Sequence, residues 1–138
     1  MNEELIVEAL VENLDTVQSF VHNHIEKFDC SKRKIMQLDL IVEEIFINIA
    51  SYAYAPNIGS VKILLNVDSD SKIASMTFID SGVEYNPLQK SDPDINLSVE
   101  EREIGGLGIY LTKNLVDSIS YQYVDGKNIL QFTKLLSD

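Results

Sequence analysis

The sequence predicts an α+β fold, a two-layer sandwich in which three helices pack on one face of a mixed, mostly antiparallel sheet. Three observations predict it: apolar positions at helical spacing in the first half, two segments that alternate with period two near the middle, and a hairpin signal close to the end. No repeat or Pro/Gly-rich linker divides the 138 residues, so we expect one domain over residues 1–138.

The first elements are an edge strand and two helices. Residues 5–11 are apolar enough for a strand at the edge of the sheet. Asp15 begins a capping-box pattern, which predicts a helix from there to about Lys27. Ser31 predicts the start of a second helix and Pro56 its end.

The second helix combines one broad apolar face with a separate polar direction. Its apolar positions share one side of the helix: Ile35, Leu38, Val42, Ile45, Phe46, Ile49 and Ala53. Glu44 and Asn48 project together, roughly 100–140° away from an acidic stripe of Asp39 and Glu43. Glu44 and Asn48 are therefore not simply part of a solvated charged face.

The second half contributes most of the sheet. A long polar loop over residues 83–104 interrupts it, and loops of that length in compact domains are usually functional or mobile. A third helix is predicted from Gly108 to about Asp117. The strands are predicted at residues 61–67, 73–79, 119–124 and 129–135.

Composition indicates the compartment and the kind of partner. The net charge of −11 repels phosphate backbones and anionic membranes, so we expect no direct nucleic-acid partner and no membrane partner. No apolar run approaches the ~18 residues of a membrane span, and the N-terminus is acidic where a signal peptide would be basic. The single cysteine, Cys30, can form no internal disulfide. We expect a cytoplasmic protein whose partner carries a basic patch.

Glu44 and Asn48 form a candidate catalytic pair, because residues one turn apart point the same way. A carboxylate there can take a proton from a hydroxyl or water within hydrogen-bond reach. A neutral amide oxygen suits Mg²⁺, which takes few protein ligands and completes its shell with phosphate oxygens and water. Alone, this spacing is more often an ordinary polar pair on a helix.

Asp80-Ser81-Gly82 follows a predicted core strand. An aspartate in that place can accept a hydrogen bond from an exocyclic amine and so favour adenine over guanine. Taken alone, Asp-x-Gly is also a common turn at the end of a strand.

A glycine cluster opens the third helix. Glycines let the backbone approach phosphate oxygens, and a helix N-terminus adds unpaired N–H groups with a favourable dipole. A flexible hinge is an equally good interpretation of the glycines alone. The cluster consists of Gly105, Gly106, Leu107 and Gly108.

The three motifs, in this order and with a long loop before the third, resemble the N box, G1 box and G2 box of the GHKL ATPase superfamily. The resemblance covers roughly residues 5–135. More narrowly, the chain resembles the small anti-sigma factor serine/threonine kinases of bacterial partner switching. It implies the histidine kinase-like ATPase fold, with Glu44 as the catalytic base, Asn48 as the Mg²⁺ ligand and residues 87–104 as the ATP lid.

The resemblance also implies the residues that bind ATP. Asp80 would recognise adenine, Thr133 in the closing hairpin would lie near it, and the glycine cluster would hold phosphates. The full set is Asn48, Asp80, Gly82, Gly105, Gly106, Leu107, Gly108 and Thr133. One position departs from the family: Glu84 stands where many members have glycine, and because a triphosphate would repel a glutamate, we expect Glu84 to point away from the nucleotide.

The function implied is an ATP- and Mg²⁺-dependent serine/threonine protein kinase. It would phosphorylate a small antagonist (anti-anti-sigma) protein, sequester a sigma factor by partner switching, and form a homodimer. Two alternatives stay open: a nucleotide-binding regulatory module without kinase activity, and the ATPase part of a split histidine kinase. The sequence shows no phosphoacceptor helix pair, which counts against the second.

Overall fold

The computed structural model describes residues 3–54, 56–89 and 106–138 and shows three helices on one face of a five-stranded sheet. The strands are β1 Glu3–Glu8, β2 Ser60–Val67, β3 Ile73–Asp80, β4 Ser118–Val124 and β5 Lys127–Leu135. The helices are α1 Leu14–Ile25, α2 Lys32–Tyr52 and α3 Gly106–Leu115, with short 3₁₀ turns at Val11–Asn13 and Pro87–Gln89. The predicted α+β class and the order of its elements are confirmed.

The strands lie in the order β1-β2-β3-β5-β4, and every neighbouring pair of described strands is antiparallel. The prediction of a mixed sheet was therefore wrong. Tight turns make antiparallel hairpins of β2–β3 and β4–β5. The chain that passes through α3 enters the sheet at the edge strand β4, so β5 returns against β3. That pairing sets Asp80 opposite Asn128.

The apolar core lies between the helices and one face of the sheet. Alternate residues of the central strands are buried there: Val61, Ile63, Leu65, Ala74, Met76 and Phe78. Helix α2 buries its predicted apolar face against them, and its fully enclosed residues are Leu38, Ile41, Val42, Ile45 and Phe46. The helical spacing thus predicted which side of α2 faces the sheet, and hence which side is left for Glu44 and Asn48.

Helix α1 begins at Leu14 rather than at the capping box predicted around Asp15. The N-cap residue, Asn13, makes no capping bond, since its Nδ2 donates instead to the Glu8 carbonyl at 2.9 Å. The preceding 3₁₀ turn already leads the chain into the helix. Asp15 lies in the first turn, where a negative charge suits the helix dipole.

Helix α2 begins as predicted, because the Ser31 Oγ accepts a hydrogen bond from the Lys34 N–H at 3.3 Å. The helix ends at Tyr52, shortly before Pro56. Although α2 is 21 residues long, neither it nor any other described helix is long and apolar enough to cross a bilayer.

Candidate functional site

A pocket opens where the second half of α2 meets the ends of β3 and β5 and the side of α3. Its walls are mostly apolar and aromatic, with a few polar side chains, which is typical of a small-molecule site. The lining residues are Ile45, Asn48, Ile49, Tyr52, Ala53, Phe78, Asp80, Val83, Tyr85, Pro87, Ile109, Tyr121, Asn128 and Leu130. The pocket therefore brings together Asn48 from the first predicted motif and Asp80 from the second.

The Asp80 carboxylate is held in one orientation at the end of β3. Only 5% of the residue is exposed. Its Oδ1 accepts hydrogen bonds from the Gly82 N–H and from the Asn128 Nδ2, both at 2.9 Å. None of the described residues hydrogen-bonds the other carboxylate oxygen, Oδ2. Asp80 thus presents one fixed acceptor to the pocket, as recognition of an amine requires.

Asn128 is the centre of the polar network behind that carboxylate. Its Nδ2 donates to the Asp80 Oδ1 and to the Val83 carbonyl, both at 2.9 Å. Its Oδ1 accepts from the Tyr85 N–H at 3.1 Å and from the Tyr121 hydroxyl. All four hydrogen-bonding positions of the amide are used. Asn128 therefore ties β5 to the loop after β3, a role that the sequence analysis missed.

Asn128→Ala is expected to lower the free energy of unfolding by about 2–4 kcal/mol, because several buried partners lose their bonds at roughly 1–3 kcal/mol each. Urea denaturation measures the change. Gln131→Ala is the matched control, since Gln131 is exposed on the same strand, and it should stay within about 0.5 kcal/mol of wild type. Equal stability of the two variants would contradict the role of Asn128.

Tyrosines form much of the remaining wall. The rings of Tyr52 and Tyr85 lie 5.9 Å apart between centroids, with an interplanar angle of 40°. Burial raises the pKa of Tyr121, so its hydroxyl stays protonated and keeps donating to Asn128. Such rings offer apolar surface with a polar tip, which suits a planar heterocycle with a polar edge.

Gly82 is explained by a close approach between the loop after β3 and the end of α2. A Cβ at this position would lie 2.2 Å from the Ala53 carbonyl oxygen. The next residue, Val83, donates its N–H to the same carbonyl at 2.9 Å. Gly82 therefore allows the loop to sit on α2, and it contributes to the site by placing Asp80 rather than through a side chain.

Asn48 lines the pocket with an unpaired amide. Its Nδ2 is buried and has no hydrogen-bond partner among the described residues. An unpaired buried donor costs free energy, and in native proteins such a group calls for an explanation. An anionic ligand oxygen would satisfy Nδ2, and the amide Oδ1 is an oxygen of the kind that Mg²⁺ prefers. Asn48 thus fits the predicted contacts with phosphate and metal.

Glu44 lies one turn before Asn48 on α2 and is not among the pocket walls. Burial raises the pKa of its carboxyl group, and the neighbouring Glu43 raises it further. A carboxylate with a raised pKa is a stronger proton acceptor once it is ionised. Glu44 is thus next in sequence to Ile45 and one turn from Asn48, which both line the pocket, and its role as proton acceptor stays a prediction.

The third motif is described only in part. Helix α3 begins at Gly106, so the glycine cluster opens a helix, although earlier than the predicted start at Gly108. Gly105 and most of the predicted lid, residues 90–104, lie outside the described residues. The surroundings of Gly106, Leu107 and Gly108 lie outside them as well. Ile109 of this helix lines the pocket.

Thr133 lies on the face of the sheet opposite the pocket. Along most of β5 every second residue is buried and faces the helices, and Thr133 lies at one of the positions in between. Its Oγ1 is 2.6 Å from the Ser118 Oγ on the neighbouring strand. The structure thus does not bring Thr133 to the site, and Asn128 is the residue of this hairpin that reaches the pocket. Glu84 is exposed and absent from the same walls.

Comparison with known proteins agrees with this geometry. Residues 7–134 match the histidine kinase-like ATPase domain family. The serine/threonine-protein kinase BtrW of Bordetella bronchiseptica is 31% identical over 103 residues, which cover 75% of this chain and 72% of BtrW. The serine-protein kinase RsbW of Bacillus cereus is 30% identical over 100 residues, which cover 70% of this chain and 61% of RsbW.

Solved structures show the same fold. The RsbU and RsbW domains of a Mycobacterium tuberculosis protein match all of this chain and 33% of that one, with a TM-score of 0.70 and 14% identity. A blue-light activated histidine kinase domain from Erythrobacter litoralis matches 91% of this chain and 60% of that one, with a TM-score of 0.53 and 14% identity. At these identities the likeness concerns the fold alone.

The fold and the pocket define an ATPase domain of the GHKL type. The chain belongs to the histidine kinase-like ATPase domain family, and within it is similar to bacterial serine and serine/threonine protein kinases. The predicted resemblance to that superfamily and to its small protein kinases is confirmed. The chain spans about six tenths of the Bacillus relative, 61%, so what the whole relative does enters below as proposal.

Proposed function

We propose that the chain binds Mg·ATP in the pocket and transfers the γ-phosphoryl group to a serine or threonine hydroxyl of a small antagonist protein. It also sequesters a sigma factor, for which the antagonist competes. The observation that supports the proposal is that Asn48 and Asp80 line one pocket, with Glu44 one helical turn before Asn48 on α2. The kinase names of the relatives support it. The homodimer and the cytoplasmic location belong to the same proposal.

Asp80 selects the base. Its Oδ2 accepts the exocyclic amine of adenine, while Asn128 and Gly82 hold Oδ1 in place. Guanine presents a carbonyl oxygen at the corresponding edge, which a carboxylate repels. The tyrosine and aliphatic walls exclude water around that contact, which strengthens the discrimination.

Asn48 and Glu44 serve the phosphates and the acceptor. The Asn48 amide would hold Mg²⁺ through Oδ1, and its unpaired Nδ2 would donate to a phosphate oxygen. Bound Mg²⁺ offsets the negative charge of the phosphates during transfer. Glu44 takes the proton from the hydroxyl nucleophile, and the raised pKa of its carboxyl group favours that step.

A labelling experiment tests the proposal. The purified chain is incubated with γ-labelled ATP, Mg²⁺ and a lysate of the source cells, and we expect label on a serine or threonine of a small protein. A chain that binds Mg·ATP but labels nothing would be a nucleotide-dependent switch without transfer. Label on a histidine of another protein would favour the split histidine kinase.

Asn48→Ala is expected to remove most of the gain in ATP affinity that Mg²⁺ provides, because the variant lacks the proposed metal ligand. Isothermal titration calorimetry with ATP, in Mg²⁺ and in EDTA, measures this difference. Ser51→Ala is the matched control, since Ser51 is exposed on the same helix and outside the pocket walls. If Mg²⁺ improves binding as much in Asn48→Ala as in the control, Asn48 holds no metal.

A further inference from the structure

Helix α2 exposes two large apolar side chains on the side that leads to Glu44. Met36 is 67% exposed and Leu40 is 57% exposed. Met36, Leu40 and Glu44 follow one another at intervals of four residues, about one turn. At about 100° per residue, each lies roughly 40° further around the helix than the one before it. The apolar pair and the proposed base therefore form one continuous strip.

The same strip begins with positive charge. The first turn of α2 contains Lys32, Arg33 and Lys34, although cations there oppose the helix dipole. None of the three forms an ion pair within the described part of the chain. Burial lowers the pKa of the nearby Lys134; Lys34 and Arg33 lower it further, while Asp117 raises it. A concentration of unpaired positive charge thus lies on a chain whose net charge is −11.

Lys32, Arg33, Met36 and Leu40 share one side of α2, and we refer to these four residues as the docking face. It carries positive charge at the start of the helix and apolar surface next, and the two glutamates Glu43 and Glu44 follow. Arg33 and Glu44 are separated by about 16 Å along the helix axis, at ~1.5 Å per residue. This length and charge order suit a protein segment with acidic and then apolar residues, followed by a hydroxyl.

We propose that the docking face binds the protein substrate, through an acidic and apolar segment that brings the acceptor hydroxyl to Glu44. The inference rests on the proposed function, because it names how the substrate of that same site is recognised. A nucleotide in the pocket needs none of these four side chains, since they do not line it.

The test uses the protein that the wild-type chain labels with γ-labelled ATP, purified in its unphosphorylated form. Met36→Asp/Leu40→Asp and Lys32→Glu/Arg33→Glu should each raise the KM for this protein at least about tenfold. The kcat and the affinity for Mg·ATP should stay within about twofold, because the pocket is untouched. Ile58→Asp is the matched control: Ile58 is 64% exposed and lies between α2 and β2, outside the docking face, and its variant should keep the wild-type KM.

A charge exchange makes the test specific. Lysine in place of acidic residues of the substrate segment should restore the KM of Lys32→Glu/Arg33→Glu and impair the wild-type chain. Wild-type KM values for both double variants would overturn the docking face and leave the proposed kinase intact. A change of oligomeric mass in light scattering, with KM unchanged, would assign the face to a second copy and also overturn the proposal. If the wild-type chain labels no protein, the proposed transfer fails and the docking face fails with it.

Discussion

Glu44→Gln is expected to reduce phosphoryl transfer by roughly 10²–10⁴-fold, the usual contribution of a general base, with little change in Mg·ATP affinity. The substitution keeps the shape of the side chain and removes only its ability to take a proton. Single-turnover transfer to the labelled substrate protein measures the chemical step, and titration calorimetry measures the affinity. A loss of affinity that matches the loss of transfer would contradict the assignment of Glu44 as base.

Glu43→Gln is the matched control for this prediction. Glu43 is adjacent in sequence but points about 100° away around α2. Its carboxylate contributes to the raised pKa of Glu44, so removing it should shift the pH dependence slightly while transfer continues. If the two variants lose transfer equally, the effect belongs to the charge of the helix and not to a proton acceptor.

The pKa of Glu44 also predicts the pH dependence. The pKa of Glu44 is raised above that of an ordinary glutamate. As the pH is lowered, phosphoryl transfer by the wild-type chain should therefore begin to fall at a higher pH than it would with an ordinary glutamate. The folded chain then binds more protons than the unfolded chain between the ordinary and the raised pKa, so stability decreases as pH rises through that window. Glu44→Gln removes this loss and should be at least as stable as wild type at neutral pH. An inactive variant of full stability would separate catalysis from folding.

Asp80→Asn is expected to remove the preference for ATP over GTP and to weaken ATP binding by roughly 10–100-fold, the range for a hydrogen bond to a charged group. The amide can still accept from the Gly82 N–H, but it also presents a donor where adenine has one. Calorimetry with ATP and GTP in parallel measures the selectivity. Asp125→Asn makes the same chemical change in the exposed β4–β5 turn and should leave both affinities unaltered. Equal wild-type affinity for the two nucleotides would contradict the role of Asp80.

Helix α2 and the direction of its polar residues were predictable because their evidence is local. The spacing of apolar residues determines which side of α2 packs on the sheet, and Glu44 and Asn48 follow from the same geometry. Asp80 was predictable for a similar reason, since it ends a strand whose alternation is clear. These positions needed no knowledge of which strands pair.

The sequence analysis missed Asn128 and placed Thr133 near adenine. The orientation of both side chains depends on a strand pairing between residues far apart in sequence. Strand β5 has apolar residues at both parities, for example Ile129 and Leu130, so alternation alone does not reveal its buried face. Only the pairing with β3 sets Asn128 beside Asp80 and turns Thr133 to the other side. The start of α1 was mispredicted for a local reason, because the Asn13 side chain binds the Glu8 carbonyl and does not cap the helix.

The bond between Asn128 and Asp80 joins residues 48 positions apart, and this has a consequence during synthesis. During synthesis, Asp80, the loop and α3 are made before Asn128, the residue that orients the Asp80 carboxylate. Closing so long a loop costs entropy that the pairing of β3 with β5 has to offset. A nascent chain that stops before β5 lacks Asn128, so under the proposed function it would lack the group that orients Asp80 toward adenine. If Asp80 selects adenine as proposed, nucleotide selectivity would report that translation and assembly of the sheet are both complete.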